Sequence, residues 1–150
     1  GKAPRLDRPA TPPWESGAAT ALLAATRSAR YGFEVVAAQG DPATSRAATS
    51  ALAVLAGLDR EQTAAVGGPG PDPAGYVLPF PVHTPAAAAR LGDGLAKGLL
   101  AAYGTVLTST NPANTPSTVP DLVDWLARAQ VLAHRWHAPL AAFPGLVQQS

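Results

Sequence analysis

The chain has 150 residues, enough for one domain around one core, and its net charge of +1 comes from 11 Lys and Arg against 10 Asp and Glu scattered along it rather than gathered in a stripe. That pattern argues against a nucleic-acid-binding face, and no run of about 18 apolar residues offers a membrane span. The absence of Cys removes disulfides, thiolate metal sites and a cysteine nucleophile together.

Charged residues make up only 14% of the chain, so Ala, Ser, Thr and Gly must cover the helix surfaces. A surface so thinly charged favours association with itself or with a partner, although alanine-biased coding explains it more simply.

Residues 1–13 carry Pro4, Pro9, Pro12 and Pro13 and read as an extended tether. Residue 1 is Gly and no Met occurs, so a start upstream and a removed leader are expected. Residues 14–150 read as a single helical domain. Its first helix is expected over 14–39, with Leu22, Ala25, Ala29, Phe33 and Val36 at spacings of three and four. Gly40 suits the left-handed position that ends a helix. Asp41-Pro42 then reads as a cap followed by proline in the first turn, opening a second helix to Val66. Its stripe is Ala48, Leu52, Leu55, Leu58, Gln62 and Ala65. The tight join between these helices makes them an antiparallel hairpin.

The Gly/Pro-rich stretch from Gly67 to His83 is far longer than the two to eight residues that usually join bundle helices. Extended, it spans about 50 Å, the full length of a helix of about 25 residues. The architecture expected is therefore all-α: a four-helix, ferritin-like bundle with one long crossover between the second and third helices. Pro79 and Pro81 argue against a central strand in the crossover, and Tyr76 is expected to anchor it.

Thr84-Pro85 repeats the cap-then-proline start of a third helix, over 84–109, with Ala88, Leu91, Leu95, Leu99, Ala102 and Val106 as its stripe. Gly94 and Gly98 lie one above the other there, which points to close approach of a neighbouring helix. A proline-bearing loop from Thr110 leads to a fourth helix over 120–137. Leu122, Leu126, Ala129, Ala133 and Trp136 face inward, and Pro139 ends the helix. Trp125 and Trp136, three turns apart, share a face and read as packing. Residues 140–146 form a short apolar tail expected to pack on the bundle.

A dinuclear metal site in such a bundle takes four Glu and two His, including two Glu-x-x-His pairs. The chain has three Glu (Glu15, Glu34 and Glu61), and Ala18, Ala37 and Ala64 lie three beyond them. The standard site is not encoded. His134 and His137 lie three apart on one helix, and His83 at the mouth of the crossover could add a third ligand. Without a nearby acid or Cys they read first as surface histidines near a helix C-terminus. Arg30 and Glu34 form an i,i+4 pair. Arg27, if it points inward, would put a guanidinium where a metal's charge would sit and would need an acid opposite; Asp124 is the candidate. Tyr31 and Tyr103 each need a partner for the hydroxyl if buried. No Ser–His–acid pattern and no phosphate-binding glycine loop occurs.

The stretches Tyr31-Gly32-Phe33-Glu34-Val35-Val36, Tyr76-Val77-Leu78-Pro79-Phe80-Pro81-Val82 and Leu99-Leu100-Ala101-Ala102-Tyr103 carry a resemblance, as do Asp124 to Trp136 and Ala142-Phe143-Pro144-Gly145. Together they resemble the alanine-rich, ferritin-like domain family of unknown function found in actinobacterial proteins. The family shows Glu-His where this chain has Thr26 and Arg27, and an acid where it has Ala96, so the departures fall on would-be ligand positions. Some members resemble exported lipoproteins, and the segment 6–13 is similar to their tether. The resemblance implies a cell-envelope location and membrane contact only through an N-terminal lipid anchor outside this sequence.

These features lead to one expectation and two alternatives. The expectation is a non-catalytic binding or interaction module of the envelope, with no cofactor, no nucleic acid, and a protein or small-molecule partner or a second copy of itself. The first alternative is a metal-binding or oxidase-type protein using His134 and His137. The second is a small-molecule carrier, which needs an apolar cavity of about 300 Å³ or more.

Overall fold

The computed structural model describes residues 13–67, 77–109 and 119–141 and folds them into four helices: α1 (Pro13–Gln39), α2 (Pro42–Val66), α3 (Pro85–Ser109) and α4 (Val119–Ala141). Tyr76, the tail beyond residue 141 and all of the expected tether but Pro13 lie outside the described residues.

The caps are made by the residues the sequence points to. Oδ1 of Asp41 accepts the Thr44 N–H at 2.7 Å, with Pro42 opening α2. Oγ1 of Thr84 accepts the Ala87 N–H at 3.1 Å at the start of α3. At the far end of α2, Gly67 takes a left-handed φ of 83° and its N–H donates to the Thr63 carbonyl. Gly40 departs from expectation. Among the described residues Gly67 is the glycine with positive φ, whereas Gly40 donates to the Val36 carbonyl at 2.8 Å. Gly40 is small because a β-carbon there would meet Thr44 Cγ2 at 2.8 Å and the Val36 carbonyl at 2.9 Å. Pro139 does not end α4, which continues to Ala141. Proline's fixed φ is compatible with helix, but its missing N–H and its ring disrupt the turn before it, and the helix runs only two residues further.

Contacts along the helices set their directions. Gly32 of α1 meets Leu95 of α3, Gly92 of α3 meets Trp136 of α4, and Glu61 of α2 bonds both Trp125 and Arg128 of α4. Thr26 and Gln62 pair across α1 and α2, and Gln62 and Tyr103 across α2 and α3. Neighbours around the bundle are therefore antiparallel, in the order α1, α2, α4, α3. The helices α2 and α3 run parallel on one diagonal, and α1 and α4 share the other. The end of α2 and the start of α3 thus lie at opposite ends of the bundle. The chain between them must travel the length of a 25-residue helix, roughly 37 Å. This is a four-helix bundle with one long crossover.

The last part of the crossover is extended, and its side chains alternate. Val77, Pro79 and Pro81 point outward, Leu78 and Phe80 are half-buried, and Val82 is buried. The Arg90 guanidinium sits 4.4 Å from the centre of the Phe80 ring. Among the described residues, Phe80 and Val82 hold this segment down.

Leu22, Phe33, Val36, Leu55, Leu58, Leu91, Leu99 and Leu122 fill the core as the stripes indicate, while Ala65 is exposed. Trp125 and Trp136 are both buried, and Trp136 meets Phe33 edge-on at 5.3 Å. Tyr31 is 43% exposed. The pair Gly94 and Gly98 is not a close-approach site: a β-carbon at either would touch nothing within 4 Å. The close approaches fall at Gly32 and Gly92 instead.

Candidate functional site

Three polar side chains meet at the bundle centre, each from a different helix and each fully buried: Thr26, Gln62 and Tyr103. The Thr26 hydroxyl donates to Gln62 Oε1 at 2.7 Å, and Gln62 Nε2 donates to the Tyr103 hydroxyl oxygen at 3.0 Å. One amide thus braces α1, α2 and α3. An unpartnered amide or hydroxyl in such a place would cost about 1–3 kcal/mol, so the chain stands only because its members satisfy one another. Burial pushes the Tyr103 phenol up to about 12, although the Gln62 bond lowers it, so the ring is protonated at any physiological pH.

A charged layer borders this neutral one. Arg27 points inward but not to Asp124. Its Nε donates to Asp59 Oδ2 at 3.1 Å, and its Nη2 reaches Thr63 Oγ1 at 3.0 Å. Arg30 shares the same carboxylate at 2.9 Å and does not pair with Glu34. Asp124 lies on α4, diagonal to α1 and out of reach; it pairs with Arg128 one turn along its own helix. Burial alone would raise the Asp59 pKa, but the bonds from Arg27, Arg30 and Thr63 outweigh it and hold the carboxyl below its ordinary value.

On the α2–α4 side, Glu61 accepts from Arg128 at 2.9 Å and from the Trp125 indole N–H at 3.1 Å. Those two bonds lower its pKa, Arg128 more than Trp125. The Arg128 pKa is raised in turn, first by Glu61.

His134 and His83 are exposed, and the His137 side chain lies outside the described residues. No group of three His, Cys, Asp or Glu side chains able to hold a metal occurs among the described residues. The donors at the centre do not suit a dinuclear site: a hydroxyl, an amide and a protonated phenol bring no negative charge, and Asp59 is already shared by two guanidinium groups. Among the described residues, two grooves open on the sides. One of about 210 Å³ lies between α2 and α4, lined by Ala51, Val54, Leu132 and Trp136 among others. The other, of about 200 Å³, lies between α1 and α3 beside Ala25, Ser28, Gly94 and Gly98. Neither reaches the roughly 300 Å³ of a usual ligand pocket. No described helix is long and apolar enough to cross a membrane.

Asp59 is the site residue that sequence reasoning missed. A signal was present, since Asp59 and Gln62 lie three apart on the face that carries Leu55 and Leu58. Gln62 stood in the apolar stripe of α2 without its partners being apparent.

Residues 18–148 match the family described as "Domain of unknown function (DUF4439)". A solved structure, that of a conserved hypothetical protein, rv2844, from Mycobacterium tuberculosis, is similar with a TM-score of 0.72 and 26% identity, over 87% of this chain and 93% of that one. No curated protein matches. The chain therefore belongs to the DUF4439 family.

Proposed function

We propose that this DUF4439 chain is a non-catalytic binding or interaction module whose bundle centre is a structural brace rather than a metal or reaction centre. The observation that carries this reading is the Thr26–Gln62–Tyr103 chain, where neutral groups spend their hydrogen bonds on each other and hold three helices in register. An interior committed in this way moves function to the outside. That outside is thinly charged and leaves Val77, Val123, Val131 and Leu107 between 44% and 80% exposed. The proline-rich segment 1–13 and the likeness to lipoprotein-type members support display at the cell envelope as part of the same proposal.

Elemental mass spectrometry on protein purified without chelator or histidine tag tests the reading, repeated after incubation with iron, manganese and zinc. Substoichiometric metal throughout, with an unchanged melting temperature, is the expected result. A stoichiometric metal whose binding is lost in Gln62→Leu would overturn it and restore a metal role to the centre.

A further inference from the structure

We propose that the outer face of α4 is a self-association surface whose partner is a second copy of this chain, packed antiparallel on the same face. On α4, Val123, Ala127, Val131 and His134 are all exposed and follow one another at spacings of four, four and three. They form one stripe about 16 Å long. The two valines are 56% and 47% exposed, and the helix packs inward on α2 and α3, so nothing among the described residues covers the stripe.

Charge order identifies the partner. Along one flank of the stripe lie Asp121, Asp124, Arg128 and Arg135, negative in the first half of the helix and positive in the second. In an antiparallel two-fold pair each flank meets the same flank reversed. Asp121 then faces the partner's Arg135, and Asp124 faces the partner's Arg128. With Ala127 on the two-fold, Val123 meets the partner's Val131, and each of the two charge pairs is staggered by about 3 Å along the axis, within reach of an arginine side chain. The antiparallel dipoles add to the attraction, whereas in a parallel two-fold pair the charged flank would lie opposite the partner's other flank and lose these pairings. Asp121 and Arg135 contribute most, because Arg128 already holds Glu61 and Asp124. A three-turn stripe is small beside the roughly 800 Å² per partner of a standard interface, so the dimer is weak and concentration-dependent.

This deepens the interaction-module reading and needs nothing from the bundle centre. Sedimentation velocity over a wide concentration series, with circular dichroism to check folding, is the test. The parent chain should pass from monomer to dimer as concentration rises. Asp121→Arg alone or Arg135→Asp alone should each weaken the dimer by about tenfold, and the two together should restore it. Val131→Ser should weaken it without restoring partner. A monomer at every concentration would overturn the proposal and leave the brace, which metal content tests, as it stands. A dimer indifferent to all four variants would overturn it equally, by placing the contact elsewhere.

Discussion

The Trp136 indole lies across the backbone of Gly92, so close that a β-carbon there would fall 1.8 Å from Cζ2 of the ring. The ring is only 4% exposed and meets Phe33 edge-on at 5.3 Å, so moving it toward the α2–α4 groove that it lines would give up that packing. Gly92→Ala should therefore destabilise the bundle by about 1–3 kcal/mol, even though alanine is the better helix former by about 1 kcal/mol. The midpoint of urea unfolding measures this. A variant as stable as the parent would mean that the ring can shift without loss.

Gly94 and Gly98 predict the opposite sign. A β-carbon at either position meets nothing within 4 Å, so alanine brings its helix propensity with no clash. Each substitution should stabilise by up to about 1 kcal/mol. Gly32→Ala falls between the two cases, because the obstacle is the tip of Leu95, which can rotate. Thermal unfolding of the four single variants should rank Gly94→Ala and Gly98→Ala highest and Gly92→Ala lowest.

Gln62 ties Thr26 to Tyr103, so removing one end should strand its amide. Thr26→Val leaves Oε1 without its donor and should cost about 1–3 kcal/mol. Thr26→Val combined with Gln62→Leu should cost less than the sum of the two, a coupling that a double-mutant cycle reads directly. Additive costs would show that the chain is incidental. The buried phenol gives a second readout. Its folded pKa lies near 12 and its ordinary value at 10.0, so the folded state loses stability as pH rises between these values. Absorbance titration should show a tyrosine step near pH 12, and Tyr103→Phe should remove that step.

Much of the fold was legible because it is written locally. Asp41-Pro42 and Thr84-Pro85 announce their helices, and the length of the crossover settles that α2 and α3 run parallel. The partners of the polar residues were not legible, because they depend on register between helices. Arg27 could be seen to need an acid, but a bundle's diagonal is not visible in a stripe. Asp124 sits across that diagonal, and Asp59 sits next door. The glycines show the same limit. Gly92 and Gly94 differ by about 200° around α3, so they face different neighbours. The spacing of Gly94 and Gly98 drew attention to the open side, while Trp136, which makes Gly92 matter, comes from another helix.

Acid should unfold the protein through the carboxylates that border the brace. Asp59 has a folded pKa below its ordinary 3.8 and Glu61 one below 4.5. A carboxylate whose pKa is lowered by folding contributes stability that is present above its unfolded pKa and is lost as pH falls through the folded one. The melting temperature should thus be flat from neutrality down to about pH 5 and fall below that. Asp59→Asn removes much of this dependence, because an amide cannot titrate and holds two guanidinium groups less well than a carboxylate. At neutral pH the variant should be less stable by about 1–3 kcal/mol. Its deficit should shrink as pH falls below the ordinary carboxyl range and vanish once the parent's Asp59 is protonated as well. A deficit that stays constant across the series would mean that Asp59 acts through shape rather than charge, and that Arg27 and Arg30 hold their places without it.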